Sequence, residues 1–337
     1  MRDSGISPPI ATDPLTKREG GHYGYRTPKS NEDSSNLDFA LRNGLAGGVA
    51  GCAAKTIVAP LERIRILFQT SHSHFVRYST RWGGLIKAAR DIRTSYGILA
   101  LFKGHSASLV RVFPYAGINF LAYEQFRAAI VTSPDQEAPW RRFLCGSMAG
   151  ATSTLLTYPL ELIRTRLAFE TVQKNPSSWV GISKKIYFEG VGNGSFFNLY
   201  RGITPTMLGI LPYAGTSFLT HDVLRDWLRS PALAPYTLEA PSSTRLTAVA
   251  QLSCGAVAGI VAQTVSYPID IIRRRMQVGN VGNGQSGILE TTQRIFIERG
   301  VRGFYVGLTI GYVKMAPMVA TSFYVYDRMK RSLGLIE

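Results

Sequence analysis

The sequence is poor in cysteine, in histidine and in acid. Its three cysteines, Cys52, Cys145 and Cys254, lie in separate Gly/Ala-rich apolar segments, and no two stand at CxxC spacing. So scattered and odd a set argues against a disulfide framework and a zinc site; it leaves small apolar residues expected to be buried. The five histidines show no ligand spacing with acids or cysteines, so no metal and no cofactor is expected. Asp and Glu number 22 against 38 Lys and Arg, a net charge of +16. That excess suggests an anionic partner: nucleic acid, acidic lipid or a phosphorylated ligand. Charged residues make up only 18% of the chain, below the usual quarter, while the 45% hydrophobic content is ordinary.

Catalytic signatures are missing as well. "VGNG" occurs at 191–194 and 281–284, but neither runs into the Lys-Ser/Thr that a phosphate-cradling loop requires, and both read as flexible loops. No nucleophile–base pair can be identified, so an enzyme is not expected. Residues 1–36 lack the hydrophobic core of a signal peptide, and their acids (Asp3, Asp13, Glu19, Glu32, Asp33) argue against a cleaved transit peptide. They read as a disordered polar tail ahead of one domain over 37–337.

What is present is a repeat. "PLERIRIL", "PLELIRTR" and "PIDIIRRR" begin at Pro60, Pro159 and Pro268, each reading Pro, any residue, acid, two residues, Arg. A second signal keeps the same beat: "YEQFR" at 123–127, "HDVLR" at 221–225 and "YDRMK" at 326–330. A third lies between them: "LFKG" at 101–104, "LYRG" at 199–202 and "FYVG" at 304–307. The chain is therefore three units of about 100 residues, at 37–133, 138–231 and 244–334.

Each unit holds two long apolar stretches. Residues 247–269, 143–160 and 202–221 carry no Asp, Glu, Lys or Arg, and their lengths suit a helix crossing about 30 Å of hydrocarbon. The other stretches are interrupted by Lys55, Arg111 and Lys314, which a bilayer tolerates only where they face a bundle interior or a watery cavity. Small residues at helical spacing (Gly44, Gly47, Gly48 and Gly51; Gly146 and Gly150; Gly255 and Gly259) predict close helix approach. Between the two helices of each unit lies a basic segment such as "RWGGLIKAARDIRTSY" at 81–96, which predicts a short amphipathic helix on a membrane surface. The expected fold is an all-α membrane protein of six transmembrane helices in three pseudo-symmetric repeats, each with a short additional helix.

The repeated charges fall on kinked helix ends. An acid and an Arg three residues apart share a helix face. Three such ends around an axis form a ring in which the acid of one unit reaches the Arg of the next: Glu62 with Arg164, Glu161 with Arg273, Asp270 with Arg65. The second signal offers another ring at the opposite end: Glu124 and Arg127, Asp222 and Arg225, Asp327 and Lys330. Partly hydrated pairs contribute about 0–1 kcal/mol each, which makes them weak glue and good latches.

These motifs resemble the signature P-x-[DE]-x-x-[KR] of the mitochondrial carrier family, complete three times, and the resemblance runs from about Asn36 to the C-terminus. It implies a multi-pass mitochondrial inner-membrane protein that works by alternating access through one central site. It assigns the proline-linked ring to a matrix gate and the other to a cytoplasmic gate. Gln69 and Gln277 match the family's glutamine braces, and Ala168 leaves the second unit without one. Tyr123 and Tyr326 match its tyrosine braces; His221 departs from that pattern. The family's contact points fall 13 residues before each acid of the second ring, on Arg111, Gly209 and Lys314. Gly209-Ile210 resembles the contact point of carriers of adenine-containing substrates, where a missing side chain opens a slot for a purine; a packing glycine is the competing explanation. Tyr213 then offers a ring to stack on the base, Arg111 and Lys314 hold phosphates, and Lys55 matches a cavity lysine of the ADP/ATP carrier.

"RRRMQV" at 273–278 differs from the ADP/ATP carrier's "RRRMMM", and no calcium-binding segment precedes the carrier domain, which disfavours the long ATP-Mg/phosphate carriers. "KTIVAPLERIRILFQT" and "PYAGINFLAYEQFR" look most like the coenzyme A carriers of the family. The expected partner is therefore coenzyme A or a related adenine-containing anion, carried in exchange for adenine nucleotides. An adenine-nucleotide or ATP-Mg/phosphate carrier is the alternative. The resemblance further implies cardiolipin at "FKG" and "YRG"; a monomer is expected. A basic nucleic-acid-binding protein is a rival from another class, but its bases would cluster on one surface rather than recur at fixed offsets from prolines and acids.

Overall fold

The computed structural model describes residues 33–72, 74–79, 83–131, 139–170, 178–189, 195–230, 233–237, 246–279 and 287–334. Both "VGNG" segments and residues 1–32 of the expected tail lie outside them. The first helix begins at Asp33, inside the span read as tail.

The chain is all helix among the described residues, with one isolated bridge at Leu246. The first repeat holds α1 (Asp33–Gln69), α2 (Gly84–Tyr96) and α3 (His105–Ile130). The second holds α4 (Pro139–Phe169), α5 (Trp179–Tyr187) and α6 (Ile203–Leu228), and α7 (Ala234–Thr237) leads out of it. The third holds α8 (Ala248–Val278), α9 (Ile288–Arg299), α10 (Leu308–Val313) and α11 (Met315–Ser332). Between repeats, α3 packs on α4, α6 on α8 and α11 back on α1, so the six long segments close into a ring.

Local chemistry explains the repetition. Pro60, Pro159 and Pro268 sit inside α1, α4 and α8, where a missing N–H removes a helix hydrogen bond and favours a kink. The short helices bury one stripe each: Ala88 and Ile92 of α2 against Ile64 and Leu67, Ile182 and Ile186 of α5 against Leu162 and Leu167, and Ile295 of α9 against Ile271. Gly104, Gly202 and Gly307 each adopt φ near +80° ahead of the second long segment of their repeat, a left-handed corner that a side chain would strain. The sixth expected helix is divided at Lys314. Pro317 cannot donate to the carbonyl four residues before it, although the backbone at Lys314 stays helical (φ −72°, ψ −21°).

Arg42–Gln69 and Val249–Val278 are long and apolar enough to cross a membrane by length and hydropathy. The other long segments are α3, α4, α6 and α10–α11. Large apolar side chains such as Leu121, Leu156, Phe218 and Phe323 stand exposed on them, as a lipid-facing surface requires. The expectation of small-residue packing holds only in places. A methyl at Gly48 would strike the ring of Phe113 at 2.5 Å, and one at Gly259 would press on Met315 at 3.2 Å. Gly44, Gly47, Gly146, Gly150 and Gly255 face open space. The notches that are filled seat a neighbouring side chain rather than a second backbone. Cys145 and Cys254 are buried and Cys52 is half-buried; all three are free thiols.

Candidate functional site

The three kinks bring the proline-linked charges together on the axis. Arg164 donates to Glu62, Arg273 donates to Glu161 at 3.3 Å, and Arg65 stands 4.0 Å from Asp270. All three expected partners across repeats are met, so this ring is closed. It is not symmetric. Glu161 is buried and serves as a hub: Arg111 and Arg274 (2.8 Å) also donate to it, and Arg164 lies at 3.8 Å. Asp270 keeps a side chain 39% exposed and only the one distant partner in the ring. Arg274 went unread in the sequence because the motif points to Arg273. The "RRR" run was the available signal, and Arg274 also reaches Thr165 and Gln277 at 2.8 and 2.9 Å.

Below the ring, Gln69 donates to the hydroxyl of Tyr267 and Gln277 to that of Tyr158, each at 3.1 Å. Each bond joins two repeats. The tyrosines precede Pro268 and Pro159, a Tyr-Pro pairing that was present in the sequence and not used. Ala168 has no side chain to make the equivalent bond.

Above the ring lies a cavity of about 460 Å³. Arg111, Gly209, Ile210, Tyr213 and Lys314 all line it, so five of the six expected contact residues meet in one place. Lys55 is not among its lining residues, although its charge bears on Glu62. The cavity wall carries six cations (Arg65, Arg111, Arg164, Arg273, Arg274, Lys314) against three carboxylates (Glu62, Glu161, Asp270), a net positive site. The two expected phosphate ligands are engaged by the ring: Arg111 with Glu161 and with Thr157 (3.2 Å), Lys314 with Glu62 (3.1 Å). Gly209 also has a packing role, since a methyl there would lie 3.3 Å from Ile269 of α8.

The second ring is not assembled. Glu124, Asp222 and Asp327 are exposed, as is Arg225. Asp327 pairs with Arg331 one turn on at 2.9 Å, and Asp222 lies 3.9 Å from its neighbour His221. Lys330 stands over the ring of Tyr326 at 4.9 Å, while Tyr123 and Arg127 are half-buried. One end is thus shut by pairs across repeats, while the pairs Asp222–His221 and Asp327–Arg331 at the other end lie within single helices. At the shut end Lys103 of "LFKG" is taken up by Glu170, through its backbone carbonyl at 3.1 Å and its carboxylate at 3.6 Å. Burial there pushes the Lys103 ammonium below its ordinary pKa, and Glu170 opposes that shift.

Compared with known proteins, the chain matches the family described as Mitochondrial carrier protein three times, over residues 37–134, 135–232 and 244–336. It is 45% identical to "Mitochondrial carrier protein LEU5" of Saccharomyces cerevisiae over 340 residues, covering 92% of this chain and 95% of that one. It is 41% identical to human "Solute carrier family 25 member 16" over 309 residues, covering 88% and 90%. With "Mitochondrial carrier protein CoAc2" of Zea mays the identity is 38% over 312 residues, covering 87% of each. The chain belongs to the mitochondrial carrier family.

Proposed function

We propose that the protein is a multi-pass carrier of the mitochondrial inner membrane that moves coenzyme A into the matrix in exchange for adenine nucleotides. The observation that carries this reading is the net positive cavity in which Arg111, Gly209, Ile210, Tyr213 and Lys314 meet directly above a closed charge ring. Coenzyme A bears roughly four negative charges, which a pocket with cations in excess draws in and partly neutralises. Gly209 and Ile210 leave a flat apolar wall for the adenine, and Tyr213 offers a ring beside it. The maize relative's name, CoAc2, is in keeping with this cargo.

The mechanism follows from who holds the two cations. Arg111 is bound by Glu161 and Lys314 by Glu62. Phosphates of the cargo compete for the same guanidinium and ammonium. Each cation drawn to the cargo leaves a ring acid with one partner fewer, so cargo binding weakens the matrix gate. A ligand bound at micromolar affinity supplies about 8 kcal/mol, enough to offset several latches of this kind. As the matrix ring opens, Glu124, Asp222 and Asp327 close with Arg127, Arg225 and Lys330 at the cytoplasmic end. Lys55 adds to the positive potential along the entry path.

ATP or ADP could use the same cations, so adenine-nucleotide carriage is the alternative. The test is uptake of labelled coenzyme A into liposomes containing the purified protein, preloaded in turn with coenzyme A, ADP, ATP-Mg or phosphate. Rapid exchange against coenzyme A, with ADP or ATP as effective counter-loads, is expected. Brisk nucleotide exchange without coenzyme A uptake would move the function to the alternative.

A further inference from the structure

The closed ring rests on a threefold frame, and two corners of that frame are built alike. Tyr158 accepts from Gln277 and donates to the carbonyl of Arg201 at 2.8 Å. Tyr267 accepts from Gln69 and donates to the carbonyl of Val306 at 3.0 Å. Each ring also lies nearly parallel to an aromatic of the segment it reaches, Tyr158 with Tyr200 at 6.0 Å and Tyr267 with Tyr305 at 6.4 Å. One corner thus ties α8 to α4, and the other ties α1 to α8.

Repeat symmetry puts Ala168 in the glutamine's place and Ala59 in the tyrosine's place at the third corner, where α4 meets α1. Both halves of the brace are reduced to methyl groups, yet the corner is not empty. Arg63 of α1, only 3% exposed, donates from Nε to the carbonyl of Ala168 and from Nη2 to the carbonyl of Glu170, each at 3.2 Å. Lys103 joins at the same Glu170 carbonyl. The void left among Ala59, Arg63, Lys103 and Ala168 is about 10 Å³. The acceptors close the last turn of α4, where carbonyls have no donor from their own helix and where a positive charge suits the helix dipole. A guanidinium presents its donors in a rigid planar fork that suits two such carbonyls at once, whereas an ammonium on a flexible stem fixes no such geometry.

We propose that Arg63 is the third brace of the closed ring, holding α4 to α1 in place of the absent glutamine–tyrosine pair. The proposal rests on reading that ring as a gate. On it, Arg63 is a positioning residue that never touches the cargo. Its hold on the ring acts through backbone carbonyls, so it does not weaken when cargo draws Arg111 and Lys314 away.

The test uses the full chain with its native cysteines replaced and a single cysteine at Ala214, which lines the cavity. In liposomes, a membrane-impermeant thiol reagent is applied to either face. Loss of two charge-assisted hydrogen bonds should raise labelling through the proline-motif face by about tenfold in Arg63→Ala. Arg63→Met keeps the aliphatic volume and should behave the same way, while Arg63→Lys, which can reach one carbonyl, should fall between. Gln277→Ala is the benchmark for a lost brace. If Arg63→Met labels like the parent while Gln277→Ala opens, Arg63 only fills space and the proposal is overturned with the gate intact. If Gln277→Ala also stays shut, the gate reading itself fails and the proposal falls with it.

Discussion

Lys314 donates a hydrogen bond to Glu62 across 3.1 Å, so a cation expected to meet the cargo is held by an acid of the closed ring. On the proposed function, binding and gating draw on the same ammonium. Glu62→Gln removes its ion-pair partner while leaving its place in the cavity. We expect this variant to bind coenzyme A several-fold more tightly and to hold the ring less firmly. Calorimetric titration with coenzyme A measures it; equal or weaker binding would separate the two roles.

The uneven ring predicts uneven stability. Glu161 is buried among four arginines, and Glu161→Gln takes that counter-charge from Arg111, Arg273 and Arg274, while Arg164 keeps Glu62. Breaking such a buried network costs about 3–5 kcal/mol. Asp270 is partly exposed with one partner at 4.0 Å, so Asp270→Asn should cost about 0–1 kcal/mol. Thermal unfolding in detergent should rank the two in that order, and equal losses would mean that the hub does not concentrate the ring's energy.

Arg274 lies outside the repeated motif, yet it joins Glu161, Thr165 and Gln277. Arg274→Ala should lower the unfolding temperature more than Asp270→Asn and should loosen the Gln277–Tyr158 brace beside it. A loss no larger than that of Asp270→Asn would show that the other three arginines satisfy Glu161 without it.

Much of this was legible because the sequence repeats. Six long segments, three short ones and every pairing of the first ring follow from one motif written three times, since symmetry turns a spacing into a contact. Departures from symmetry were not legible. Arg274 has no counterpart to draw attention to it, and Glu161 becomes a hub only because Arg111 reaches down from α3 and Arg274 across from α8. The tyrosine partners of the glutamine braces hide in the ordinary residue before Pro159 and Pro268. The division at Lys314 and the open second ring depend on conformation, which a motif does not encode.

Gly209 sits at the cavity wall and against Ile269. Gly209→Ala needs Ile269 to yield by a few tenths of an ångström, so the fold should survive with a small loss of stability. The added methyl narrows the slot expected for adenine, and the KM for coenzyme A should rise several-fold. A bulkier side chain would disturb the α6–α8 contact and confuse the two effects. Unchanged KM in the alanine variant would remove the adenine slot from the account.

The exposed acids of the second ring contribute little to the conformation described. Asp222→Asn and Asp327→Asn should leave the unfolding temperature nearly unchanged, since exposed pairs contribute about 0–1 kcal/mol. The same changes should slow exchange, because on the proposed mechanism this ring closes in the alternate conformation. Normal exchange rates in the double variant would deny the ring a role as a gate.

On the proposed function, Arg111 and Lys314 bind coenzyme A above the closed ring. The measurement that tests it most directly is uptake of labelled coenzyme A into liposomes loaded with unlabelled coenzyme A, for the parent protein beside Arg111→Ala and Lys314→Ala. Rapid exchange by the parent and exchange close to the protein-free background by both folded variants are expected. Undiminished exchange by either variant would contradict it.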